Sequence, residues 1–191
     1  NYIDSTAVQK VLIGQNLQFD TIVWDENDVI VERYVAGDLE NVYGPWTDGT
    51  VYNVNWPTSG AYYADDNTTR VLLTVEDPDI PLTLKVKEKT VSSLAVGTPL
   101  RIYTGGINLF NDDRVNLEII GPDGKITTKN NQSFTNITVA KLRDYGSTTE
   151  SLQINTTDWK IASYTFQVKT KSEYACGLVA ESATKSLTIV K

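Results

Sequence analysis

An all-β chain, folded as two tandem antiparallel β-sandwiches, is what three observations predict. The composition is rich in Thr, Val, Asn, Tyr and Ile and lacks Ala-, Glu- or Lys-rich runs, so it favours strands and turns over helices. Apolar residues alternate with polar ones at period two in several short segments. Turn signals separate those segments at about 8–12-residue spacing, as in β-sandwiches.

Taken along the chain, Val71, Leu73 and Val75 alternate around Thr74. Leu82, Leu84 and Val86 alternate with Thr83, Lys85 and Lys87. Val115, Leu117 and Ile119 alternate with Asn116 and Glu118, and Tyr164, Phe166 and Val168 with Thr165 and Gln167. Each pattern reads as a half-buried antiparallel strand with one wet face. Gly121-Pro-Asp-Gly124 lies between two such runs and signals a hairpin; Asp48-Gly49, before Thr50-Val-Tyr-Asn, signals a second. Val139–Tyr145 is the best helical candidate, but a strand end plus loop fits those residues equally well.

A chain of 191 residues suits one large or two small domains. Glu76-Asp-Pro-Asp-Ile-Pro81 holds two prolines and three acids in six residues, which break any strand and keep the backbone solvated. The expected division is an N-terminal β-sandwich at 1–77 and a C-terminal one at 78–191. A weak internal repeat accompanies it. Ser59-Gly-Ala-Tyr-Tyr63 leads through a polar loop to Arg70–Val75, and Ile161-Ala-Ser-Tyr-Thr-Phe166 leads to Lys185–Val190. Both look like the last two strands of an immunoglobulin-like sandwich, with a tyrosine near the start of the penultimate one.

Charge and composition exclude several function classes. Twenty-four acids against 17 bases give −7, the wrong sign for nucleic acid or anionic lipid. With no histidine there is no histidine triad, histidine zinc site or histidine switch. One cysteine excludes an intramolecular disulfide and a Cys₄ metal site. No apolar run approaches the ~20 residues of a membrane span. There is no phosphate loop and no nucleotide fingerprint, and no carboxylate pair stands out in apolar surroundings, so no enzymatic activity is expected.

Four N-x-Ser/Thr sequons, at Asn67, Asn131, Asn136 and Asn155, lie in polar, turn-like surroundings and are candidate glycosylation sites if the chain is secreted. Acidic clusters include Asp25 with Asp28, Asp77 with Asp79, and Asp112 with Asp113. Calcium takes 6–8 oxygens, often from such loops, and is the candidate cofactor; the competing reading is that Asx residues make turns. Trp46 and Trp56 lie in loop-like contexts, Tyr43-Gly-Pro-Trp46 and Asn55-Trp-Pro57. Exposed, they would stack on sugars or anchor a partner; buried, they would plug the end of a small core. Cys176 reads as a small buried thiol or as a pairing site between subunits.

One set of residues resembles a known family. Val11-Leu-Ile-Gly-Gln-Asn-Leu-Gln-Phe19 is similar to the opening strand of surface-layer proteins of methanogens and related archaea. Asp77-Pro-Asp79, Ala95–Leu100, Asn116–Gly124, Ser163–Val168 and Ala175–Leu178 resemble the repeated immunoglobulin-like modules of that family. The resemblance implies a secreted, glycosylated protein, its signal peptide removed, that tiles into an extracellular coat, sheath or filament with itself as partner. Such proteins usually continue into a Thr-rich stalk and a membrane anchor. Ending at Lys191, the chain is either a fragment or a subunit that assembles without its own anchor. Strand addition through Tyr2–Ile13 or Thr184–Val190 is the expected mode of self-association. A secreted carbohydrate- or partner-binding module using Trp46 and Trp56 is the alternative.

Overall fold

The computed structural model describes residues 1–5, 8–20, 24, 29–46, 48–145 and 153–191. They form two compact units, Asn1–Pro78 with Cys176–Leu178, and Asp79–Ala175 with Val179–Lys191. The sequence reading assigned Cys176–Leu178 to the second domain. Their packing assigns them to the first, where Asn16 N donates to Cys176 O at 2.6 Å.

In the first unit the strands are β1 (Tyr2–Ile3), β2 (Val8–Leu12), β3 (Leu17–Phe19), β4 (Ile30–Val35), β5 (Asp38–Tyr43), β6 (Thr50–Val51), β7 (Ala61–Asp65) and β8 (Arg70–Glu76). One sheet runs β2-β8-β7-β4-β5 and the other β1-β3-β6. Their inner faces share one core: Val11, Val31, Tyr62, Ala64, Leu73 and Val75 from the larger sheet meet Ile3, Leu17, Phe19 and Val51 from the smaller. The turn at Asp48-Gly49 does not close a hairpin, because β6 pairs with the distant β3, Gln18 with Thr50 and Leu17 with Val51.

In the second unit the strands are β9 (Thr83–Val86), β10 (Lys89–Thr90), β11 (Ser93–Ala95), β12 (Arg101–Tyr103), β13 (Arg114–Gly121), β14 (Gly124–Ile126), β15 (Thr128–Lys129), β16 (Gln132–Ser133), β17 (Ile137–Thr138), β18 (Ser163–Thr170) and β19 (Lys185–Val190). The main sheet runs β11-β19-β18-β13-β14, with β17 beside β13; a smaller sheet runs β10-β9-β12. The alternating strands fall where the pattern put them, and Gly121↔Gly124 closes the β13–β14 hairpin. Val139–Tyr145 is a helix, α1. Thr138 Oγ1 accepts a hydrogen bond from Lys141 N at 3.2 Å, as an N-cap does, and Val139, Leu142 and Tyr145 are buried at helical spacing.

Both units are immunoglobulin-like and share one strand order. In each main sheet an early strand lies beside the last one, which pairs in turn with the penultimate strand, a long earlier strand and its hairpin partner. The repeat seen in sequence occupies matching places, β7–β8 and β18–β19, both antiparallel. Each has a tyrosine corner. Tyr62 Oη donates to Pro57 O at 2.6 Å, and Tyr164 Oη to Lys160 O at 3.0 Å. A tryptophan packs against each tyrosine: Trp56 stacks on Tyr62 (5.7 Å between centroids) and Trp159 lies tilted against Tyr164 (4.8 Å). The sheets depart from a purely antiparallel plan where an early strand meets the last one, because β2–β8 and β11–β19 are parallel, and again at the parallel pair β1–β3.

One local irregularity shapes the first unit. Between Arg33↔Asn41 and Tyr34↔Leu39 the β4–β5 register shifts, leaving Glu40 as the extra residue of a β-bulge. Arg33 points inward and is buried. Its guanidinium donates to Ser59 O and Oγ, and its charge is met by Glu40. The bulge supplies a carboxylate to a buried cation that would otherwise be costly. It also turns Leu39 and Val42, three apart, onto one face.

Candidate interaction surfaces

The outer face of the larger sheet in the first unit carries a row of side chains through five strands. Val42 on β5 is paired with Glu32 on β4, Glu32 with Tyr63 on β7, Tyr63 with Leu72 on β8, and Leu72 with Val8 on β2. Directly paired residues point to the same side, so these form one line. Leu39 and Tyr34 lie in the next row. Val8, Leu39 and Val42 are 54%, 50% and 51% exposed. The wet face of an antiparallel sheet is ordinarily polar. Here the row has one charged member, and that charge is answered locally. Glu32 Oε2 accepts from Arg70 at 2.9 Å and from Tyr34 Oη at 3.0 Å, while the Arg70 guanidinium lies 4.6 Å from the Tyr63 ring centroid. Asp65 pairs with Arg70 as well.

A second surface is an aromatic groove of about 470 Å³ in the same unit, lined by Tyr43, Trp46, Tyr52, Asn53, Asn55 and Trp56 among others. The fold brings the two predicted tryptophans together, ring centroids 6.3 Å apart. Their roles differ. Trp56 is buried in the core against Tyr43 (5.3 Å) and Tyr62, so as an exposed platform it is corrected; it plugs the end of the sandwich. Trp46 is half-buried, stacked on Phe19 at 5.9 Å. Gly44 makes room for it. That residue has φ +93°, and a Cβ there would come within 3.0 Å of the Trp46 ring and of Val29 O. Sequence reasoning missed Tyr43, Tyr52 and the two asparagines, although the Asn-rich flank Val51-Tyr-Asn-Val-Asn-Trp56 was there to be read.

All four sequon asparagines are exposed. Asn67, Asn131 and Asn136 have left-handed φ values of 70°, 62° and 56°, which Asn tolerates in turns. Asn155 Oδ1 closes an Asx turn, accepting from Thr157 N at 2.9 Å. Asn131 and Asn155 belong to adjoining segments, since Asn130 Nδ2 donates to Asn155 O at 3.1 Å.

Among the described residues the acidic candidates do not converge. Asp25 and Asp28 lie outside the described residues. Asp77 and Asp79 are exposed, and Asp79 exchanges backbone hydrogen bonds with Asn108. Asp112 is exposed, whereas Asp113 is buried and accepts from Phe110 N at 3.0 Å, a turn-forming role. Among the described residues no three Asp, Glu, Cys or His side chains gather as a metal site would require. Cys176 is half-buried, with φ +51°, and its Sγ accepts from Asn1 N at 2.7 Å. Among the described residues no helix is long and apolar enough to cross a membrane.

No protein-family profile and no curated protein matches the chain, so the likeness to archaeal surface-layer proteins rests on its own motifs. Among solved structures, the N-terminal four immunoglobulin domains of Dscam1 isoform 8.4 are similar over 98% of this chain and 44% of that one, at 12% identity and a TM-score of 0.28. Immunoglobulin domains 1–5 of Sidekick-1 are similar over 98% and 37%, at 12% identity and the same TM-score. The chain spans less than half the length of either. Neither likeness is close enough to argue for a function.

Proposed function

We propose that the chain is a non-catalytic structural subunit of an extracellular cell-envelope assembly, a coat, sheath or filament of the archaeal surface-layer kind, and that it associates with copies of itself. The observation that supports this is the row Val42–Tyr63–Leu72–Val8 with Leu39 and Tyr34 beside it. A chain carrying −7 resists self-association through repulsion, and at ~0.15 M salt the screening length is about 8 Å. Copies meet at least cost where apolar surface is broad and charges are paired, as on this face. β19 is paired by β18 over Lys185–Thr188 and by β11 over Thr188–Val190, so strand addition through Thr184–Val190 would compete with pairing inside the unit. Among the described residues the edge strands of the first unit's main sheet are β2 and β5, which border the apolar face.

Light scattering and negative-stain microscopy over a concentration series test the reading. The wild-type chain is expected to form larger particles as concentration rises. Leu39→Lys with Val42→Lys should raise the concentration required at least tenfold, from lost burial of about 1–2 kcal/mol per contact. Both residues are half-exposed, so the fold should survive. A strictly monomeric wild type, or a double variant that assembles equally well, would overturn it.

The same reading places the chain outside the cell, where the sequons are available. Native material is then expected to exceed 21.2 kDa by sugar-sized increments on intact-mass analysis, with the additions lost on Asn→Gln substitution at 67, 131, 136 or 155. A native mass equal to that of the bare chain refutes the glycan part.

A further inference from the structure

We infer that the aromatic groove of the first unit is a binding site for a neutral saccharide, a function additional to self-assembly. The rings offered to a ligand are those of Tyr43, Trp46 and Tyr52; Tyr52 is 71% exposed, and Trp46 and Tyr43 are partly so. A pyranose presents a face of C–H bonds that packs on aromatic rings, and a rim of hydroxyls that both donate and accept. Side-chain amides match such hydroxyls, because each amide has two donor hydrogens and a carbonyl acceptor. Asn53 and Asn55 place two of them on the groove, both residues exposed, with no side-chain hydrogen bond among the described residues.

The charge of the site narrows the ligand. Among the described residues no Lys, Arg, Asp or Glu lines the groove. A uronate or sulfated sugar would bring an anion with no cation to meet it, onto a chain of net charge −7. A volume of about 470 Å³ is in the range of small-ligand sites. The walls are also set in advance. Asn53 N donates to Asn16 Oδ1 at 2.9 Å, Val54 N to Gln15 O at 2.8 Å, and Gly14 N to Val54 O at 2.7 Å. That fixes the Tyr52–Asn55 segment, while Phe19 and Trp56 hold Trp46 from behind. The backbone is thus set before binding, and the side chains of Tyr52, Asn53 and Asn55 are what a ligand must order.

The test is a titration of dilute full-length chain, followed by tryptophan fluorescence and saturation-transfer NMR. The ligands are neutral mono- and disaccharides, glucuronate, and a proline-rich peptide as the other occupant that aromatic grooves accept. Neutral sugars are expected to bind with Kd on the order of 0.1–5 mM. Tyr52→Ala and Asn55→Ala should each weaken binding roughly three- to tenfold without moving the melting temperature, since both side chains are exposed. Trp46→Ala should weaken it more but also disturbs Phe19, so the exposed variants decide. The inference falls if no neutral saccharide responds at about 10 mM. It falls too if glucuronate or the peptide binds more tightly, or if both exposed variants bind unchanged. The readout is taken at dilution, so it stands whether or not the chain assembles.

Discussion

Replacing Phe166 by alanine is expected to cost the second unit about 3–5 kcal/mol. The ring is fully buried on β18, the strand held between β13 and β19, and it lies parallel to Trp159 at 6.1 Å between centroids. Its backbone is paired with Ile119 on one side and Lys185 on the other, so the strand cannot slide to fill the void. Domains are usually stable by only about 5–15 kcal/mol, and a loss of this size removes a large share of that. Urea denaturation gives the total. Hydrogen exchange at Leu117 and Val168 should accelerate, because their amides sit in the same sheet. A loss under about 1 kcal/mol would mean that the cavity collapses or that the ring is not packed as described.

Alkaline pH should destabilise the first unit through Tyr62. Burial, with Tyr43 beside it, pushes this phenol up to about 12, against the opposing pull of Arg33. An unfolded tyrosine titrates near 10. Below pH 10 the proton is bound in both states and the stability is fully present. Between about pH 10 and 12 the unfolded chain releases it while the folded chain keeps it, so stability falls as pH rises, by about 2–3 kcal/mol across the window. Tyr62→Phe separates this from Tyr145 and Tyr164, which burial also raises. The variant should lose about 1 kcal/mol at neutral pH, for the bond to Pro57 O, yet show a shallower decline above pH 10. An unchanged alkaline slope would show that Tyr62 ionises as freely folded as unfolded.

Much of the fold could be read from residues because its signals are local. Val115, Leu117 and Ile119 face one way for the same steric reason that makes any strand alternate, and Gly121 to Gly124 carries its turn within four residues. What escaped depends on distant partners. Period two puts Leu39 and Val42 on opposite faces; the bulge at Glu40 reverses that, and the carboxylate it places meets a buried guanidinium seven residues earlier. The partner of β6 is not its neighbour, and nothing near Asp48-Gly49 says so. The site was half legible. Two tryptophans in loops stood out by type, but which ring stays open to a ligand is decided by Tyr43, Tyr62 and Phe19 packing around them. The helix at Val139–Tyr145 was undecidable until Leu142 and Tyr145 had a core to face.

The parallel pairing of β2 with β8 and of β11 with β19 governs how each unit responds to mechanical load. The two strands of each pair point the same way, but β1 precedes β2, and β9 and β10 precede β11, so tension on a unit's ends reaches those outer strands first. Once it reaches the pair, it slides the strands past each other. The rungs from Val8↔Leu72 to Leu12↔Glu76 are strained together, as are those from Ser93↔Thr188 to Ala95↔Val190. An antiparallel hairpin drawn from its open end gives way one rung at a time. Shared strain makes each pair yield late and abruptly under tension.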